Sequence, residues 1–211
     1  MILNAHAAPG TWTVGGPTGF TGGAISWALK LFGIGSPDEM RKALSESLAT
    51  VPPGSEGLVF HTALTGSRFP VWDGAERGSL HGIEVGHSVA HILRAAQEGA
   101  AFTVADALDT IQKSGARISE VIVVGGLSTD RAAVQLRADA IDMPVSTLMT
   151  EEASSAGSAM LTGVCAKVYP DLTAAADRFV RRRDRFEPDP TVVQQLSHAR
   201  QRWREAGRKP L

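Results

Sequence analysis

The stretch Val121-Ile122-Val123-Val124-Gly125-Gly126-Leu127-Ser128 decides how the chain is read. A β-branched apolar run ends at two glycines, and hydroxyl residues and an amphipathic segment follow. Strands of a parallel sheet are buried on both faces, so the unbroken run Val121–Val124 predicts such a strand. Paired glycines let the backbone turn sharply and let another group come close, because no Cβ is in the way. Ser128, Thr129 or Asp130 can cap the helix that follows, and the free N–H groups at its start favour an anion or polar ligand. Ligands of open α/β sheets bind at this carboxyl end of the strands. The plainer reading, an ordinary tight turn between strand and helix, stands beside it.

Downstream, the pattern predicts a helix from Gly126 to about Asp142 and a strand over Pro144–Met149. A second helix carries the stripe Ala153, Ala156, Gly157, Met160, Leu161 and Val164, whose small residues predict close packing on the sheet. This β-α-β-α order implies a partly parallel sheet with helices on its faces. From about Asp171 a tail begins. Its arginines (Arg178, Arg181–Arg183, Arg185) alternate with Asp177, Asp184 and Glu187 and read as a solvated helix face. Pro188-Asp189-Pro190 then precedes an amphipathic helix with Val192, Leu196, Ala199 and Trp203 on one side.

Upstream, Thr11–Val14 reads as a strand and Ala24–Phe32, apolar nearly all round, as a buried helix. Nothing before Thr11 makes a domain start, as if the fold were entered midway. Ser36-Pro37-Asp38-Glu39 opens a helix: Ser36 caps, Pro37 suits the first position, and Glu39 completes a capping box. Met40, Ala43, Leu44 and Leu48 recur at helical spacing, and Pro52-Pro53-Gly54 ends the run. Short strands are predicted at Gly57–His61 and Ser79–Ile83, on either side of an irregular loop from Thr65 to Gly78. Loops of that length in compact domains are often functional. Ser88 opens a long helix through Val89, Ile92, Leu93, Ala96 and Ala100, with Gly99 as a kink or a close contact.

Composition narrows the functions. The 211 residues suffice for a substantial core, and a net charge of −1 gives no pull toward nucleic acid or a membrane. A single cysteine, Cys165, excludes a disulfide framework and a cysteine-rich zinc site. No run reaches the ~20 apolar residues of a membrane helix. The start Met1-Ile2-Leu3-Asn4-Ala5-His6 lacks the basic and apolar regions of a signal peptide, which makes the cytoplasm the default location. No Gly-x-Ser-x-Gly elbow, Walker A loop or Gly-x-Gly-x-x-Gly after a strand occurs. His87 and His91 read as four apart on one helix, the spacing of two metal ligands, but Ser88 stands where a metalloprotease has Glu, and no third ligand is evident. The glycine pairs Gly22-Gly23 and Gly125-Gly126 remain, at element ends where a nucleotide could approach the backbone.

The segments in combination say more. Gly54-Ser55-Glu56-Gly57-Leu58-Val59-Phe60, Leu64-Thr65-Gly66-Ser67-Arg68-Phe69-Pro70 and Ala75-Glu76-Arg77-Gly78, followed by Gly78-Ser79-Leu80-His81-Gly82-Ile83 and His91–Gly99, resemble the FGGY family of carbohydrate kinases. Ser67 departs from the family's usual Glu, and Gln97 from its usual apolar residue. The Gly-Gly stretch, Ala138-Asp139, Met143-Pro144-Val145 and Glu151/Glu152 with Ala156-Gly157-Ser158-Ala159 come in the family's order, so the resemblance covers about residues 6–187. The loop pattern looks closer to xylulokinases than to glycerol kinases.

What the resemblance implies is an α/β, actin-like ATPase or ribonuclease H-like domain, a mixed sheet flanked by helices. Residues 1–187 are then the carboxy-terminal, ATP-side domain, entered mid-fold, and residues 188–211 its helical tail. By the same resemblance Gly22 and Ser26 lie near the nucleotide, with Ser26 where glycerol kinases use Gln. Gly125 and Gly126 contact the adenosine part together with Asp130, which departs from an Asn-type position. The implied cofactors are ATP and Mg²⁺, and the reaction is transfer of the γ-phosphoryl to a sugar hydroxyl, a pentulose such as xylulose. The family's catalytic aspartate, its Gly-Thr-Ser phosphate loop and most of its sugar contacts belong to sequence upstream of Met1, so no residue here is assigned as the base. The sugar is therefore met mainly through an amino-terminal domain or a partner subunit, and exposed apolar surface, self-association or a homo-oligomer is expected of the chain alone. The alternative is a non-catalytic nucleotide-binding or interaction module of the same descent.

Overall fold

One long helix, α3 (Val89–Lys113), organises the amino-terminal half. The computed structural model describes residues 1–207, Leu127 by its backbone only. At the start of α3 the Nδ1 of His91 accepts from the backbone N–H of Ser88 at 3.1 Å, as Glu does in an ordinary capping box. At its end the chain turns through Ser114 into Gly115, at φ +94°. Gly99 is a close contact and not a kink: a Cβ there would fall well under 3.0 Å from the carbonyl oxygen of Phe60.

Within this half, α1 (Thr21–Leu31) and α2 (Pro37–Thr50) lie against α3. The predicted capping box of α2 is present, with Glu39 N–H on Ser36 Oγ at 3.3 Å and Ser36 N–H on Glu39 Oε2 at 3.1 Å. Ile25, Ala28 and Leu29 of α1 pack with Leu93, Ala96 and Ala100 of α3 and with Phe60, and Met40 and Leu44 of α2 close over them. Arg94 ties down the end of α2. Its Nη1 donates to the carbonyls of Leu48 at 2.8 Å and Val51 at 2.6 Å, which the helix end leaves without amide partners. Its Nε pairs with buried Glu98, which also accepts from Gly54 N–H and Ser55 Oγ.

The described strands form three small sheets. β1 (Ile2–Ala5) pairs antiparallel with β2 (Trp12–Gly15), and β3 (Val59–His61) pairs antiparallel with β4 (Ser79–His81). In the third sheet β5 (Val121–Val123) runs parallel to β6 (Val145–Leu148), joined through α4 (Arg131–Ile141), and β7 (Arg182–Phe186) runs antiparallel to β6. Val134, Ala138, Val145 and Phe186 are its core, with Val121 and Val123 against them. α5 (Ala153–Cys165) and α6 (Leu172–Phe179) pair with each other. α7 (Pro190–Ala206) buries Leu196 and Ala199 against Ala101, Phe102, Leu136 and Ala140.

Several sequence expectations are corrected. β5 is not buried on both faces: it is an edge strand, and Ile122 and Val124 are 38% and 42% exposed. α5 packs on α6 and not onto the sheet, and no residue of α5 is fully buried. α1 is buried on one face only, leaving Trp27 and Leu31 exposed. The arginines from 182 to 185 stand on strand β7, not on a helix. His87 precedes α3 and is not on it.

Candidate functional site

The turn after β5 is the best-defined candidate. Gly125 sits at φ +81°, ψ −169°, a region essentially closed to side-chain-bearing residues, so the fold itself requires glycine there. Residues Gly126–Ser128 form a single 3₁₀ turn. The hydroxyl of Ser128 donates to the carbonyl of Gly125 at 2.8 Å, and that of Thr129 to the carbonyl of Gly126 at 2.9 Å. The N–H of Gly125 donates to the carbonyl of Glu151 at 3.2 Å, which ties the turn to the segment after β6. Gly126 is exposed, its φ is not positive, and a Cβ built on it meets nothing within 4 Å. Among the described residues no neighbour in space demands glycine at 126.

Asp130 is the cap of α4, its Oδ1 accepting from the N–H groups of Ala132 at 2.9 Å and Ala133 at 3.2 Å. Of the three capping candidates in the sequence, this is the one whose side chain reaches the amides. Gly22 lies in the first turn of α1 and Ser26 one turn later, exposed. The five residues thus fall into two groups, one on α1 and one on the β5–α4 turn. Both α1 and α4 pack on α3, and no hydrogen bond among the described residues joins the two groups.

A second feature was only half legible in the sequence. The irregular loop after β3 folds back on itself, with Ser67 N–H on the Asp73 carbonyl at 2.8 Å and the guanidinium of Arg68 5.0 Å from the Trp72 ring centroid. Between this loop and the end of α7 lies a cavity of about 460 Å³, lined among others by Phe20, His61, Phe69, Asp106, Trp203 and Arg204. None of the five glycine-turn and α1 residues lines it. His61 stacks on Trp203 at 4.7 Å and donates from Nε2 to the Trp203 carbonyl at 2.7 Å. Burial lowers its pKa below the ordinary histidine value, so the neutral ring is favoured. The loop was marked by its length, but His61 and Trp203 are far apart in sequence and carry no local signal of their pairing.

Other chemistry finds no support. The rings of His87 and His91 are 5.1 Å apart, yet each Nδ1 is engaged by a backbone N–H, and His91 Nε2 is 3.1 Å from Glu56. Among the described residues there is no group of three His, Cys, Asp or Glu side chains that could hold a metal. Ser79 Oγ and His81 Nε2 are 2.8 Å apart, but among the described residues no carboxylate hydrogen-bonds to His81 to complete a triad. Among the described residues no helix is long and apolar enough to cross a membrane.

Residues 3–166 match the model of the FGGY family of carbohydrate kinases, C-terminal domain. The chain belongs to this family. Among its curated relatives, the xylulose kinase of Lactococcus lactis is 31% identical over 202 residues, which are 95% of this chain and 40% of the relative. The glycerol kinase of Geobacter sp. strain M21 is 36% identical over 168 residues, 79% of this chain and 33% of the relative. The chain therefore spans two fifths or less of the length of these relatives. Ligand-bound xylulose kinase from Lactobacillus acidophilus superposes with a TM-score of 0.79 at 24% identity, covering 90% of this chain and 38% of that one. Plasmodium falciparum glycerol kinase with ADP gives 0.74 at 24%, covering 92% and 38%. The FGGY chain has the α/β, actin-like and ribonuclease H-like fold of these kinases.

Proposed function

We propose that this FGGY domain is the ATP-side part of a carbohydrate kinase that moves the γ-phosphoryl of ATP to a sugar hydroxyl, with a pentulose such as xylulose as acceptor. The observation that carries the reading is Gly126: an exposed glycine, in a conformation any residue adopts, with open space where its side chain would be. Glycine that the fold does not need, beside one that it does, fits a backbone approached closely by a ligand. In this reading Gly125 and Gly126 face the adenosine end of the nucleotide, Asp130 stands one turn further on, and Gly22 and Ser26 contact it from α1.

The exposed backbone at Gly126, with nothing within 4 Å of a Cβ built there, leaves room for the adenosine end of ATP. Mg²⁺ does not have a protein cage here, since no cluster of three ligating side chains exists among the described residues. In this reading the ion is held chiefly by the phosphates and their water, as is usual for Mg²⁺ in phosphoryl transfer. Such transfer depends on positioning and on charge neutralisation around the phosphates. The sugar and the base then come from the remainder of a kinase. Leu3, Ala5, Trp12 and Val14 share one face of the β1–β2 hairpin and are all exposed, an apolar surface suited to such a neighbour.

Isothermal titration with ADP and Mg²⁺ tests the reading. Wild type binds, and Gly126→Val, whose Cβ meets nothing within 4 Å, abolishes binding while the melting temperature stays put. Equal binding by both proteins removes Gly126 from the site, and no binding by wild type removes the nucleotide. An ATPase and pentulose-kinase assay on the same protein is expected to show no turnover at a normal kinase rate.

A further inference from the structure

The Gly125–Ser128 turn is held from outside by a strand that lies beyond the family-model match, which ends at residue 166. Arg183 of β7 donates from Nη2 to the carbonyl of Ser128 at 2.8 Å. Its Nη1 lies 3.4 Å from Oε1 of Glu151, and its Nε 3.3 Å from Oδ2 of Asp184. The carbonyl of that same Glu151 receives the N–H of Gly125. One guanidinium thus bridges the last residue of the turn to the residue that anchors its first.

The arrangement suits arginine. The planar fork reaches a carbonyl and a carboxylate at once, which the single ammonium of lysine does not reproduce. Apart from the Gly125 N–H bond to Glu151, the turn's other hydrogen bonds are local, from Ser128 and Thr129 back to the Gly125 and Gly126 carbonyls. Gly126 is exposed, a Cβ built on it meets nothing within 4 Å, and β5 before it is an edge strand. A backbone meant to meet a ligand must be held in place before the ligand arrives, since ordering it on binding costs affinity.

We propose that Arg183 is a positioning residue for the nucleotide turn: it fixes the Gly125–Ser128 backbone through Ser128 and Glu151 without touching the ligand. This rests on the nucleotide reading given above, and it adds that ligand affinity depends on a residue of the chain outside the family-model span. Arg183 also accounts for why β7 carries arginines on an edge strand. Arg182 pairs with Glu120 and Arg185 with Glu187, whereas Arg183 alone of the three reaches into the turn.

The experiment has two arms on the full chain. Amide hydrogen exchange without ligand compares wild type, Arg183→Lys and Arg183→Ala. The expected result is faster exchange confined to residues 125–130 in both variants, more in Arg183→Ala, with little change in melting temperature. Titration with ADP and Mg²⁺ is then expected to show affinity about tenfold weaker in Arg183→Ala, the loss of a hydrogen bond from a charged donor. Millimolar guanidinium restores both the exchange protection and the affinity of Arg183→Ala, which a merely structural role would not allow. Unchanged exchange in Arg183→Ala overturns the clamp. Changed exchange with unchanged ADP affinity overturns the positioning role. If wild type takes up no ADP, the nucleotide reading fails and the positioning role with it, while the exchange arm still decides the clamp.

Discussion

Gly99 of α3 and Phe60 of β3 meet backbone to backbone: the Phe60 carbonyl occupies the space that a Cβ on residue 99 would need. The contact brings the β3–β4 hairpin down onto the middle of α3, where Phe60 is 1% exposed within the core. Glycine is otherwise unfavourable inside a helix by about 0.5–1 kcal/mol relative to alanine, and here the close packing outweighs that cost. Gly99→Ala should therefore destabilise despite the better helix propensity, by about 1–3 kcal/mol as in other overpacked cores. Urea unfolding measures it, with Gly126→Ala as the control. That variant meets open space and is expected to stay within about 0.5 kcal/mol of wild type. A Gly99→Ala protein as stable as wild type contradicts the contact.

Asp130 serves the fold before it serves any ligand. Its Oδ1 accepts two amides of the first turn of α4, so Asp130→Ala should cost about 1 kcal/mol, the usual loss for an N-cap. Asparagine caps as well as aspartate, so Asp130→Asn should keep the stability to within a few tenths of a kcal/mol. If the site takes a nucleotide as proposed, Asp130→Asn also binds ADP at least as tightly as wild type, because it restores the Asn-type residue of the family. Thermal melts separate the cap from the ligand effect, and weaker ADP binding by the Asn variant would count against the proposed contact.

The features legible in the sequence are those fixed by near neighbours. Ser36 with Glu39, Ser88 before Val89 and Asp189 before Pro190 all act within four residues, and the structure keeps each at a helix start. The Gly-Gly turn was legible for the same reason, because Gly125 needs a backbone conformation that the residue type itself announces. The unreadable parts depend on partners distant in sequence. Arg182 and Arg183 look like a solvated helix face until Glu120, Glu151 and the Ser128 carbonyl are seen across from them. The run Val121–Val124 carries the composition of a strand buried on both faces, yet β6 is its sole partner among the described strands. The cavity under the Thr65–Gly78 loop needs His61 and Trp203 together, 142 positions apart.

Acid should weaken the fold through His61. Burial is the largest influence on it and lowers its pKa below 6.5; the neighbouring His81 adds to this, while the hydrogen bond to the Trp203 carbonyl and the charge of Glu76 oppose it. In the unfolded chain His61 takes its proton near the ordinary value, so below about pH 6.5 the unfolded state binds more protons than the folded one. Stability is then fully present above the unfolded pKa and falls as pH drops through the folded one. Denaturation midpoints at pH 7.5 and pH 5.0 should differ more in wild type than in His61→Gln, since the other titrating groups act on both proteins alike. Equal differences in the two proteins would show that His61 does not titrate with folding.

The carboxy-terminal helix belongs to the core on physical grounds. Leu196 is 1% exposed and Ala199 3%, and both sit among Phe102, Leu136 and Ala140 from α3 and α4. Trp203 extends the contact by donating from Nε1 to the Phe60 carbonyl at 3.2 Å and stacking on His61. Arg200 and Arg204 add ion pairs to Asp106 and Asp109 on α3, partly exposed and so of lesser weight. Leu196→Ala removes a fully buried side chain and should cost about 2–5 kcal/mol. Arg200→Gln removes a partly exposed pairing and should cost clearly less. If α7 were an appendage, Leu196→Ala would leave the unfolding midpoint of the chain nearly unchanged and melt only a minor helical fraction. A single shifted transition seen alike by circular dichroism and tryptophan fluorescence is the outcome that the packing of Leu196 against α3 and α4 requires.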